Sequence, residues 1–272
     1  MNCLIAKTNF EFKLISNLMN SQLEKYVAEE VKDNRITIES KVVNNFVLPN
    51  KEADITSKFY KIYYEDNKII QAQYENDNLY AVLTYQENYC LIEMLPGDIG
   101  RKEYLLTEYA GVYYILKEQE AILIHSSSFA YKNKGVLVIA KSGTGKSTHV
   151  RLWKEYENVI QINDDKNIII LENNKLMIYG NPWSGKSFID QNISKELTDL
   201  VFIYQNKENV IRSVSKKEQM LLLLPQITNS SFMYDKNKWN KLTNQLLLIN
   251  GKYLGCNISQ GAVETLKKAL ED

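Results

Sequence analysis

The segment Ala140-Lys141-Ser142-Gly143-Thr144-Gly145-Lys146-Ser147 joins a wholly apolar run, Gly135–Ala140, to a stretch of helical character, Lys146–Tyr156. Glycines in such a link let successive backbone N–H groups curl around a phosphate, and the helix behind them adds the positive end of its dipole. In that arrangement Ser142, Gly143, Thr144, Gly145, Lys146, Ser147 and Thr148 surround the phosphates of a nucleotide. Lys146 reaches the β- and γ-phosphates, and the Ser147 hydroxyl ligates magnesium. The first position of the loop is Ala140 where the pattern usually has glycine, a tolerable change because the strand only ends there. The expected ligands are ATP and Mg2+.

Asn163-Asp164-Asp165 follows at the end of the next short apolar run, Asn158–Ile162. In a parallel α/β sheet, phosphate loop and acid pair emerge together at the carboxyl ends of their strands, where ligands bind. One carboxylate can then hold magnesium while the other accepts a proton from an attacking hydroxyl. His125 closes the strand before the loop's own strand and is a candidate for the same rim, near phosphates or acceptor. His149 falls inside the loop's helix on a different face from Ser147 and reads as structural. Gly180-Asn181-Pro182-Trp183-Ser184-Gly185-Lys186-Ser187 has the composition of an ordered functional loop. Lys186 is a candidate for neutralising phosphate charge, and Trp183 for packing on nucleotide or acceptor.

The elements that must position these residues change character along the chain. Residues 1–98 read as β-rich, with strands at 36–43, 59–64, 79–85 and 89–94, and Pro96-Gly97-Asp98 makes a plausible boundary. A helix is expected over 101–116, where Leu105, Tyr109, Val112 and Leu116 share a face. Strands and helices then alternate: strands at 121–125, 135–140, 158–162 and 200–204, a hairpin from 168–171 to 176–179 about Asn173-Asn174, and helices at 216–224, 236–248 and 262–270. The expected organisation is a β-rich N-terminal region, 1–98, followed by an α/β domain with a mixed sheet, 99–272.

The 33 basic residues balance the 33 acidic ones, which argues against a general affinity for nucleic acid or anionic membrane. No run is long and apolar enough for a membrane span, and no secretory leader is evident. Three widely spaced cysteines and only two histidines suit a reduced, cytoplasmic protein without a zinc site. A homo-oligomer is compatible with the sequence but not required by it.

The order of a strand ending in His125, the phosphate loop, Asp164-Asp165 close behind it and then Pro182-Trp183-Ser184-Gly185-Lys186 resembles the HPr kinase/phosphorylase and phosphoenolpyruvate carboxykinase-like group. Segments 142–153, 162–166 and 181–186 look closest to small bacterial kinases of that group, including those that phosphorylate a serine on lasso peptides. The resemblance covers roughly 120–270, and residues 1–98 lie outside it. It implies a P-loop kinase core in which Asp164 is the catalytic base and Asp165 the magnesium ligand, or the reverse, with Lys146, His125 and Lys186 also in the catalytic set. The expected activity is Mg2+-dependent transfer of the γ-phosphoryl group of ATP to a serine-like hydroxyl on a peptide or small protein. The alternatives are a kinase of a free small molecule such as an amino acid, and a non-catalytic ATP-binding regulator.

Overall fold

A computed structural model describes residues 1–30, 33–185, 188–228 and 232–271. The chain divides into two compact units, Met1–Ile115 and Leu116–Asp272.

The first unit contains β1 (Asn2–Ile5), β2 (Thr8–Lys13), α1 (Asn17–Leu23), β3 (Ile36–Val42), β4 (Ile55–Thr56), β5 (Tyr60–Glu65), β6 (Lys68–Glu75), β7 (Asn78–Tyr85), β8 (Tyr89–Met94) and most of α2 (Ile99–Glu118). The strands form an eight-stranded mixed sheet in the order β1-β2-β3-β8-β7-β6-β5-β4. β2, β3 and β8 run parallel, while β5 to β8 form an antiparallel meander. The alternation legible in β3 is real: Ile36, Ile38 and Ser40 are buried and the residues between them are less so. At the β6–β7 hairpin Asn76 and Asp77 take left-handed φ of 50° and 63°, the conformation that a tight hairpin turn demands and that Asn and Asp tolerate.

The division falls within α2 rather than after residue 98, because α2 is tied to the first unit's sheet. Tyr113 and Tyr114 pack their rings on Tyr85 at 4.4 and 6.2 Å. Buried Glu103 accepts hydrogen bonds from the N–H groups of Ile15 and Ser16, both at 2.9 Å, and from the Ser40 hydroxyl. A periodicity reading finds the helix but not the buried carboxylate that anchors it.

The second unit contains β9 (Ala121–His125), β10 (Ser127–Tyr131), β11 (Lys134–Ile139), α3 (Lys146–Glu157), β12 (Ile160–Asn163), β13 (Lys166–Glu172), β14 (Lys175–Tyr179), β15 (Ser194–Gln205), β16 (Val210–Ser213), α4 (Lys216–Leu223), α5 (Lys236–Leu246), β17 (Gly251–Cys256) and α6 (Gln260–Glu271). Its mixed sheet runs β12-β10-β11-β15-β14-β13-β9, with β17 paired to both β15 and β16. β15 is parallel to β11 and to β17. The strand leading to Asp164-Asp165 does not lie beside the strand leading to the glycine loop 140–147: β10 separates β12 from β11 and is antiparallel to both. Two antiparallel steps restore direction, so β11 and β12 still end on the same edge of the sheet. The β13–β14 hairpin turns on Asn173-Asn174, with φ of 49° and 61°.

The apolar run of β11 is buried on both faces, as its composition requires. Leu137 and Ile139 enter one core with Ile169, Leu200 and Phe202, whereas Val136 and Val138 enter another with Trp153, Val201 and Leu266. In the second core Trp153 of α3 stacks on Phe129 of β10 at 4.8 Å. Among the described residues no helix is long and apolar enough to cross a membrane.

Truncating Glu103 would leave a buried N–H group, a part-buried N–H group and a buried hydroxyl without their acceptor, the buried ones each worth about 1–3 kcal/mol. Glu103→Ala should therefore lower the free energy of unfolding by about 3 kcal/mol or more in urea titrations; a loss below about 1 kcal/mol would deny the carboxylate its anchoring role.

Candidate active site

β11 delivers the chain to Ala140, and the loop that follows makes two left-handed steps, at Gly143 (φ 78°) and Gly145 (φ 116°). A Cβ added at either glycine would meet nothing within 4 Å, so backbone conformation rather than crowding calls for glycine there. Gly145 is also the N-cap of α3 and has no side chain to cap it, and the first turn of α3 contains no acid. The helix therefore presents its positive end uncompensated to the space over the loop.

Lys146 is only 7% exposed, and its ammonium donates to the Ala140 carbonyl at 2.9 Å. Burial lowers its pKa from the usual lysine value, and the charge of Asp165 opposes that shift. Ser147, next along α3, places its hydroxyl 3.4 Å from the Ser127 hydroxyl and 3.4 Å from the Asp164 carbonyl. Loop, β10 and acid turn thus meet at Ser147.

Asn163 shapes the acid turn. It is buried, and its Oδ1 accepts from the N–H groups of Asp165 and Lys166, both at 2.9 Å, as asparagines do when they organise a turn. Its Nδ2 donates to the Asn181 carbonyl at 3.1 Å, and Asn181 Nδ2 donates to the Lys166 carbonyl at 2.7 Å. Asp164 is buried, with Oδ1 accepting from the Gly185 N–H at 2.6 Å. Asp165 is more open, and its Oδ1 lies 3.2 Å from His125 Nδ1. His125 and Lys166 are register partners between β9 and β13, which sets the imidazole beside the turn. Burial lowers the His125 pKa first of all; Asp165 opposes this, while Lys146 and Lys166 reinforce it.

His125, Ser142, Lys146, Ser147, Asp164 and Asp165 line one cavity of about 300 Å³ together with Gly143, Gly145 and Thr148. A second cavity, of about 430 Å³, opens past His125 and Ser142 toward Lys141, Lys166 and Thr228. A third, of about 690 Å³, lies on the other side of the loop among Gly143–Gly145, Thr148, His149, Gln205, Asn257 and Ile258. These are ordinary sizes for small-ligand sites.

His149 is buried, as its place in the helix suggested, yet it also lines that third cavity. Its Nε2 accepts from Trp153 Nε1 at 3.2 Å, which leaves the proton on Nδ1, and Nδ1 has no hydrogen-bond partner among the described residues. Burial pushes its pKa down to about 4. Trp183 is 0% exposed, an interior residue rather than an open platform for a ligand. Lys186 lies outside the described residues. Ser127, Gln205 and Asn257 carry no signal in the sequence, whereas Asn181 lies in the loop 180–187 and Asn163 abuts the acids.

No family model matches this chain, and no curated protein matches it. Among solved structures, that of the HPr(Ser) kinase/phosphatase from Coxiella burnetii is similar, with a TM-score of 0.32 and 12% sequence identity over 55% of this chain and 92% of that one. A likeness so slight leaves the chemistry of the site to its own residues.

His149 gives the fold a readable pH dependence. The folded pKa of His149, about 4, lies below the unfolded value of 6.5, so between these limits the unfolded chain binds the extra proton and stability falls as pH falls. From about pH 7 to about pH 5 this one group should cost about 2 kcal/mol. His149→Gln should flatten the urea-derived stability profile by that amount over the same window. An unchanged slope would show that the ring is solvated enough to protonate in the fold.

Proposed function

We propose that this chain is a magnesium-dependent ATP kinase of the HPr kinase/phosphorylase and phosphoenolpyruvate carboxykinase-like type, transferring the γ-phosphoryl group to a serine-like hydroxyl on a peptide or small protein. The observation that carries the reading is the single cavity shared by a glycine-shaped loop, an uncompensated helix N-terminus, Lys146, Ser147 and two carboxylates. Those are the parts phosphoryl transfer needs, because it relies on positioning and charge neutralisation rather than on covalent chemistry.

In this reading the N–H groups of Gly143 to Ser147 hold the phosphates, and Lys146 turns from the Ala140 carbonyl to the β/γ bridge. The nucleoside occupies the cavity beside His149, whose Nδ1–H then finds an acceptor. Among the described residues no group of three His, Cys, Asp or Glu side chains is placed to hold a metal. Magnesium does not require one, since it is commonly held by one or two carboxylates together with substrate phosphates. Ser147 Oγ and Asp165 fit that donor set, and Asp165 is the carboxylate whose charge bears on Lys146. The ion, when bound, neutralises charge developing on the phosphoryl oxygens. His125 orients Asp165 through Nδ1. Asp164, held by the Gly185 N–H, takes the proton of the acceptor hydroxyl. The acceptor enters from the side of Lys141 and Lys166.

Two sets of variants test this. Lys146→Ala should weaken Mg·ATP binding or turnover at least about tenfold, equivalent to about 1.4 kcal/mol, by calorimetry and a phosphate-transfer assay; equal affinity and turnover in variant and parent would sink the reading.

The two acids should fail differently. Asp165→Asn should raise the magnesium concentration needed for half-maximal rate. Asp164→Asn should spare nucleotide and metal binding while slowing transfer by roughly 10²–10⁴. The opposite pattern would exchange their roles.

A further inference from the structure

The first unit contains a cavity of its own, of about 650 Å³, between the β6–β7 hairpin, the start of β5 and the outer stripe of α2. Its construction is unlike that of a surface dimple. On α2, Arg101, Leu105 and Tyr109 are spaced by four residues and so line one face of the helix. Across from them stands Phe59, a large apolar side chain left 65% exposed, and Leu105 is 38% exposed. Tyr80 enters from β7 at a β-bulge: Gln73 pairs with Ala81 and Tyr74 with Leu79, so Tyr80 is the extra residue. Bulges re-aim side chains at the cost of regular pairing, and they concentrate beside functional sites.

Some polar groups of this cavity serve the fold, Lys102 donating to the Leu95 and Pro96 carbonyls and Asp98 accepting from the Arg101 N–H, but Gln73 does not. Gln73 lines it, is 2% exposed, and has an Nε2 with no hydrogen-bond partner among the described residues. Two residues earlier in β6, Gln71 is equally buried but satisfied, its Oε1 accepting from the Tyr85 hydroxyl at 2.6 Å. A buried amide N–H without an acceptor is costly and calls for a reason. Burial raises the pKa of both Tyr80 and Tyr109, that of Tyr80 to about 12, so both phenols remain donors at neutral pH. With the Arg101 guanidinium at the rim, the lining offers amide, guanidinium and phenol donors around aromatic walls, and the charges of Glu75, Asp77 and Asp98 are matched in number by those of Lys58, Arg101 and Lys102.

We infer that this cavity is a binding site for a carboxylate carried on a flat apolar body, the carboxylate oxygens taking the Gln73 amide and the Arg101 guanidinium and the body lying between Phe59, Tyr80 and Tyr109. Two sources offer that chemistry, a free aromatic amino acid and the C-terminal residue of a peptide. The site lies wholly within the first unit and does not depend on the phosphoryl-transfer reading.

Calorimetric titration of the full chain with L-phenylalanine, N-acetyl-L-phenylalanine and L-phenylalaninamide tests the inference. At least one of the two acids should bind saturably and the amide at least roughly tenfold more weakly. Tighter binding of the free amino acid identifies a free ligand, and tighter binding of the N-acyl form a peptide terminus. Gln73→Leu should weaken binding at least roughly tenfold while leaving the melting temperature unchanged or higher, because it removes an unsatisfied buried donor. Arg101→Ala, on the exposed rim, should also weaken binding. Failure of both acids to bind, equal binding of the amide, or a Gln73→Leu variant that melts lower yet binds normally would each overturn the proposal.

Discussion

Asn163 has no access to solvent, and its side chain is committed at both ends: two backbone N–H groups on Oδ1, a backbone carbonyl on Nδ2. Burying a polar group demands that its partners be in place, and here the partners are the site itself. By holding the N–H groups of Asp165 and Lys166 it fixes the turn on which both carboxylates stand. By holding the Asn181 carbonyl it brings up the loop whose Gly185 N–H meets Asp164. Behind the turn, Ser126 donates its N–H to the Asp165 carbonyl, and the Asn167 side chain ties to Ser126 and Ser128. The acids owe their positions to this polar interior as much as to the apolar strands beneath it.

The strands supply a different kind of rigidity. β11 and β15 are each buried on both faces, and successive residues alternate between two cores. The loop after β11 therefore springs from a strand that cannot shift without disturbing both. The Lys146 ammonium rests on the carbonyl at the end of that strand.

The glycine loop 140–147 is legible in the sequence because its glycines sit between an apolar strand and a helix, and Gly143 and Gly145 take left-handed φ. The Asn173-Asn174 hairpin was readable for the same conformational reason. β10 was not, because Ser127 and Ser128 break the apolar pattern, and only the fold reveals that they face a buried network. Pro96-Gly97-Asp98 looks like a break in the sequence, whereas Glu103 and the Tyr85 cluster bind α2 to the preceding sheet and the compact units divide after Ile115. Trp183 was equivocal in sequence and is interior in the fold. The double nature of His149, buried yet with a free donor on a cavity wall, follows from Trp153 one helical turn on.

β15 joins β11 on one side of the sheet and β17 on another, and all three run parallel. Parallel pairing between segments so distant in sequence is slow to form, since loop-closure entropy must be overcome before any contact rewards it. As the chain leaves the ribosome, β11 has β10 for a neighbour early, but its second flank stays bare until residues 194–205 have been made, and β15 in turn waits for 251–256. The glycine loop after β11 thus gains its full support only once residues 251–256 have been made. On the proposed function, competence to hold a nucleotide follows closure of this sheet and doubles as a report of it.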